Sequence, residues 1–231
     1  MAKNTMKINT LELEFENKYH EDEKEFFHTL IWIIKSQDQL KQFGLIGGEK
    51  CPTKFYGIIS ALESQKSSLQ EVIIDYCAFS TEFEVLKNCK NLEILHIRYC
   101  DYMIPLKILD YNKINTLEVV DCPIDSKDIA LILEKFGISL QRLKLVSDDK
   151  IQEESLLLEV LKSFCPNITY LNISNIEFST QLLEFIGNLQ KLQFLTLSSL
   201  WCIVDDISEE ELKKRAYFVS TIANVIKLAK L

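Results

Sequence analysis

One recurring pattern restricts this chain more than any other feature. The sequence apolar-x-x-apolar-x-apolar begins at Ile8, Leu40, Leu69, Leu92, Ile114, Leu140, Ile168 and Leu192. The segments read INTLEL, LKQFGL, LQEVII, LEILHI, INTLEV, LQRLKL, ITYLNI and LQFLTL, at steps of 32, 29, 23, 22, 26, 28 and 24 residues. A period of roughly 20–50 residues marks a chain made of stacked supersecondary units. The triple alone is weak evidence, because in a chain that is 47% hydrophobic it recurs by chance. Its flanks add specificity: Cys77, Cys100 and Cys122 each stand eight places after their segment's first apolar residue, and Cys89 and Cys165 each stand three places before theirs.

The alternation at the end of each segment is that of a short strand with its apolar side chains turned one way. The residues between strands must return the chain to begin the next one. In 53–63, 80–87, 125–136, 153–164 and 180–186 apolar residues recur at three- and four-residue spacing, several of these runs opened by Ser, Thr or Asp as N-caps, so helices are predicted there. One such unit buries its apolar side only against its neighbours. The expected fold is therefore α/β, a leucine-rich-repeat solenoid or horseshoe with a parallel sheet on the concave face and helices on the convex face. Only 4 Pro and 6 Gly occur, too few for linkers, and a single domain over 1–231 is expected. Past the last segment Leu212, Ala216, Val219, Ala223 and Ile226 form a stripe, so 208–231 is predicted to be a C-terminal capping helix.

Charge narrows the partners. Asp and Glu total 34 against 26 Lys and Arg, and a net charge of -8 disfavours nucleic acid and anionic lipid. No apolar run approaches a membrane span, and the first residues lack the apolar stretch of a signal peptide. Seven cysteines without a CxxC pair argue against a zinc knuckle or a disulfide framework and for a reducing compartment, cytoplasmic or nuclear. After each strand a small side chain with a weak S–H donor can pack inside the turn, so Cys77, Cys100 and Cys122 are expected to stack as a ladder rather than to converge on a metal. No cofactor is implied, and a monomer is expected.

The segments SFCPNITYLNIS and KNCKNLEILHIRYC resemble the cysteine-containing repeats of F-box/LRR proteins. Stretches such as LIWIIKSQDQL, LQEVIIDYC and IGNLQKLQFLTL look like the fungal members of that family found in mycorrhizal lineages. The likeness covers about residues 40 to 200. In that family an F-box docks on the adaptor of a cullin-type ubiquitin ligase while the repeats hold the substrate. Residues 1 to 7 ahead of the first segment are too few for an F-box, so the resemblance implies the substrate-binding half, with ubiquitin-ligase subunits as further partners.

Stepping two residues along each strand and one segment across lists the outward positions of the sheet. Glu71, Ile73 and Asp75 come first, then Ile94, His96 and Arg98, then Thr116, Glu118 and Val120, then Arg142, Lys144 and Val146, with Tyr170, Asn172, Phe194 and Thr196 beyond. Apolar groups such as Ile73, Ile94, Val120, Tyr170 and Phe194 among charges suit a protein interface. Asp75 can offset Arg98 there, and Glu118 can offset Lys144. Chemistry finds little support. There is no GxSxG, GLIGGEK at 44–50 lacks the spacing and the Ser or Thr of a phosphate loop, and His20 and His28 stand two turns apart rather than one. His96, Glu118 and Cys100 can be drawn as a nucleophile set, but Cys100 is expected to face inward. The expectation is a protein-binding module and not an enzyme, with regulation of a small GTPase or another enzyme as the alternative.

Overall fold

The computed structural model describes residues 7–15, 24–48, 55, 57–78, 80–100, 113–147, 149, 151–177, 179–198 and 217. Compact packing divides the chain into two units, Met1–Pro123 and Ile124–Leu231. The predicted cap at 208–231 lies outside the described residues apart from Tyr217, which is helical and exposed.

The first unit holds five strands: β1 (Thr10–Glu14), β2 (Gln42–Ile46), β3 (Glu71–Asp75), β4 (Ile94–Arg98) and β5 (Thr116–Val120). Each pairs in parallel with the next in chain order, so Glu12, Gly44, Ile73, His96 and Glu118 lie in one row across the sheet. The second unit holds β6 (Arg142–Val146), β7 (Tyr170–Ser174) and β8 (Phe194–Ser198), again parallel and in chain order. Every strand begins two residues after the first apolar residue of its segment. The expectation of an α/β chain with a parallel strand in each segment therefore holds at all eight positions.

The reason lies in the inward residues. Leu40, Leu69, Leu92 and Ile114 in the first unit, and Leu140 and Ile168 in the second, are fully buried ahead of their strands. Phe43 and Leu45, Val72 and Ile74, Leu95 and Ile97, and Leu117 and Val119 continue the layer in the first unit; Leu143, Leu145, Leu171 and Ile173 do so in the second. Burying each such side chain is worth roughly 1.5–3 kcal/mol, so a register slip that turned one set outward would be strongly opposed.

The connections differ between the units. In the second they are α-helices, α2 (Ser126–Phe136), α3 (Glu154–Phe164) and α4 (Thr180–Asn188), and in the first α1 (Lys24–Ser36) follows β1. Elsewhere in the first unit the predicted helices are 3-10 segments, Ser60–Gln65 and Thr81–Asn88. A 3-10 turn rises about 2.0 Å per residue against 1.5 Å for an α-helix. Two of the predicted caps form, Ser80 accepting from the Glu82 amide and Asp125 from that of Lys127; Ser179, one residue ahead of the expected Thr180, accepts from the Leu182 amide, and Glu153 at the head of α3 makes no side-chain cap bond.

Side-chain amides tie neighbouring turns together. Gln65, buried under α1, donates to the Ile34 carbonyl at 3.0 Å and the Gln37 carbonyl at 2.7 Å, and accepts from the Leu40 amide at 3.2 Å. Asn91 donates to the Ser67 carbonyl at 2.7 Å, and Asn167 to that of Ile138 at 2.8 Å. Each Asn immediately precedes a segment's first apolar residue, and each reaches back to the residue two before the previous one. Both therefore satisfy a loop carbonyl that the strand ladder leaves over.

Candidate functional site

The outward positions fall into two patches, one in each unit. In the first unit β3, β4 and β5 present Glu71, Ile73, Asp75, Ile94, His96, Arg98 and Glu118 side by side because their registers align. His96 is the centre. Its Nδ1 is hydrogen-bonded with Glu118 Oε2 at 2.6 Å, and its Nε2 lies 3.5 Å from Glu71 Oε1. The same Glu118 oxygen accepts from Arg98 Nη2 at 3.1 Å, whereas the Arg98 Nη1 to Asp75 Oδ2 distance is 4.0 Å. The Asp75–Arg98 pairing expected from the sequence is thus the weaker contact, and Arg98 chiefly serves Glu118. Asp75 Oδ1 and Arg98 Nε are buried and make no hydrogen bond. Burial raises the Asp75 carboxyl above its ordinary value, partly offset by the Arg98 charge.

Two outward expectations are modified here. Val120 ends β5 only 7% exposed, so it belongs to the core and not to the surface. Ile73 and Ile94 are half-buried between charged neighbours, narrower apolar contacts than the listing implied. Gly44, in the same row, is covered by Glu12, whose Cγ lies 3.0 Å from where a β-carbon would sit.

In the second unit β6, β7 and β8 present Arg142, Lys144, Tyr170, Asn172 and Phe194. The Arg142 guanidinium carbon sits 4.3 Å from the centroid of the Tyr170 ring, within cation–π range. The Phe194 ring follows at 6.4 Å, tilted by 43°. Phe194 is 60% exposed, Arg142 is exposed, and Lys144, Tyr170 and Asn172 are half-buried.

The nucleophile set does not assemble. Cys100 is buried in the turn after β4, where its thiol reaches the Arg98 carbonyl at 3.1 Å and that of Ile74 at 3.8 Å, while His96 points outward. Cys77 and Cys122 repeat the arrangement, the first toward Asp75 and Leu45 and the second toward Val120 and Ile97. The expected ladder of packed thiols is what the turns contain. Among the described residues no three His, Cys, Asp or Glu side chains converge as metal ligands, and no helix is long and apolar enough to cross a membrane. A cleft of about 910 Å³ in the second unit is lined by Asp149, Glu153, Glu154 and Glu177 among others. Two of its acids have structural work: Glu154 accepts the Glu177 amide at 2.7 Å and Glu153 pairs with Lys127 at 2.6 Å.

The residues just before the ladder cysteines are absent from the predicted surface. Tyr76, Tyr99 and Asp121 have φ of 49°, 51° and 48°, in the left-handed region. That conformation breaks strand alternation: Asp75 and Tyr76 both face outward before Cys77 turns in, as do Arg98 and Tyr99 before Cys100. Counting by twos along a strand cannot find them, but the repeated Tyr-Cys dipeptide could have. No protein-family model matches the chain, and a search of the curated proteins returns no match either.

Proposed function

We propose that the chain is a leucine-rich-repeat solenoid, its sheet concave and its helices convex, and that it holds a protein partner on the outward face of the sheet. The observation that carries this reading is the row Arg142, Tyr170 and Phe194, a guanidinium stacked on an aromatic ring with a second aromatic 60% exposed beside it. Arg, Tyr and other large aromatics are the residue types that dominate interface energetics, and exposing them on a monomer brings no gain in stability. The resemblance to F-box/LRR proteins supplies the partner class: the substrate of a cullin-type ubiquitin ligase, with ligase subunits in the same complex and a cytoplasmic or nuclear setting.

Affinity capture from source-cell extract by the wild-type chain and by its variants tests this. A protein retained by the wild type, lost with Arg142→Glu combined with Lys144→Glu, and kept by the helix variant Leu131→Glu is the expected result. Capture that ignores the sheet variants and follows Leu131→Glu would move the interface to the helices.

A further inference from the structure

The parallel registers place one residue from each strand end in a single row. Gly47, Tyr76 and Tyr99 are equivalent positions, since their amides donate to the carbonyls of Asp75, Arg98 and Val120 respectively, the last residue of the neighbouring strand. Asp121 follows Val120 just as Tyr99 follows Arg98. Along the row the side chains therefore run from none at Gly47, through two phenol rings, to a carboxylate.

The two rings are stacked, with centroids 4.4 Å apart and planes within 8°. Each remains more than two-fifths exposed, Tyr76 at 43% and Tyr99 at 42%. Each is held outward by a left-handed backbone, which bulky residues rarely adopt. Glycine or asparagine would meet that backbone requirement more easily, as Asn175 does after β7. Two tyrosines in consecutive repeats thus need a reason other than the turn.

The surrounding charge indicates one. Glu71, Asp75, Glu118 and Asp121 lie on these three strands or directly after them, against the single guanidinium of Arg98 and the imidazole of His96. The Asp121 carboxylate stands close enough to the Tyr99 hydroxyl to raise its pKa. A π face in a negative field attracts a cation, and a planar guanidinium also stacks on the ring. Gly47 contributes no side chain to continue the stack beyond Tyr76.

We infer that the Tyr76–Tyr99 pair is a binding shelf for an arginine side chain of the partner protein, the guanidinium stacking on the exposed phenol rings beside the carboxylates of β3 to β5. This inference rests on the proposed protein-binding role and adds to it the chemistry of the segment recognised.

The test uses the full chain and two fluorescein-labelled peptides, Gly-Arg-Gly-Arg-Gly and its citrulline counterpart, which keeps the shape and loses the charge. Anisotropy titrations at low ionic strength should show the arginine peptide binding more tightly, with the citrulline peptide weaker by about tenfold or more. Tyr76→Leu combined with Tyr99→Leu should weaken the arginine peptide about fivefold or more, while Leu131→Ala, at an exposed helix position, leaves it unchanged. Equal binding of the two peptides, which requires no variant, would overturn the inference, as would unchanged binding by the double leucine variant. If a partner captured through Arg142 and Lys144 is held equally well by the double leucine variant, the shelf is rejected and the sheet-face reading stands. Retention of the partner by an Arg142→Glu, Lys144→Glu variant whose melting transition is intact would reject the sheet-face reading without affecting the peptide comparison.

Discussion

Asp75 shows how much a single position on this surface can be read in advance. Its outward direction follows from alternation, but its burial and its poor contact with Arg98 follow from Glu118 taking the guanidinium, which no spacing rule contains. The raised carboxyl pKa has a sign that can be checked. A carboxyl whose pKa is higher in the folded chain than in the unfolded one favours folding fully below the ordinary Asp value of about 4, and that contribution is lost as pH rises through the folded value. Asp75→Asn should therefore improve in melting temperature relative to the wild type as pH rises from about 3.5 to 7. A difference that stays flat, or that moves the other way, would mean that the Arg98 charge outweighs burial. Two cysteines make a second residue-scale case. Burial pushes the Cys89 and Cys165 thiols up to about 12, so neither carries thiolate near neutral pH. A maleimide should leave both unlabelled in the folded chain at pH 8 and label both in urea, as peptide mass mapping can establish.

Among the elements, strands were more legible than their connections. A five-residue strand declares itself through alternation, and every one begins at the same offset from its segment's first apolar residue. The connections were harder because three- and four-residue apolar spacing suits both an α-helix and a 3-10 turn, and segment length does not separate them: the 29-residue step from Leu40 to Leu69 carries a 3-10 turn and the 24-residue step from Ile168 to Leu192 an α-helix. Close packing between connections was also hidden. A β-carbon at Gly137 would lie 2.8 Å from Cys165 Sγ and 2.9 Å from the Phe164 carbonyl oxygen, so the end of α2 can meet the end of α3 only through a glycine. Gly137→Ala should cost about 1–3 kcal/mol in urea unfolding, since backbone as well as side chain must move. A change within a few tenths would show that the turn yields freely. The sheet-face substitutions should behave oppositely: Arg142→Glu and Lys144→Glu should each alter stability by about 0.5 kcal/mol or less while removing the partner.

For the molecule as a whole, the repeat supplied both the fold class and the candidate surface, because parallel strands in register place successive outward residues next to one another. The tyrosine row stayed hidden because the left-handed residue after the strand adds a second outward side chain that alternation does not count. The claim that matters most is that a protein is held on the sheet face and not on the helices. A photo-crosslinking amino acid placed singly at Phe194, Asn172, Leu131 or Trp32 in source cells measures this directly. Leu131 and Trp32 are exposed on helices, at 53% and 69%, so all four probes can reach a partner. A discrete, reproducible adduct is expected from positions 194 and 172 and none from 131 and 32. Adducts confined to 131 or 32 would contradict the claim.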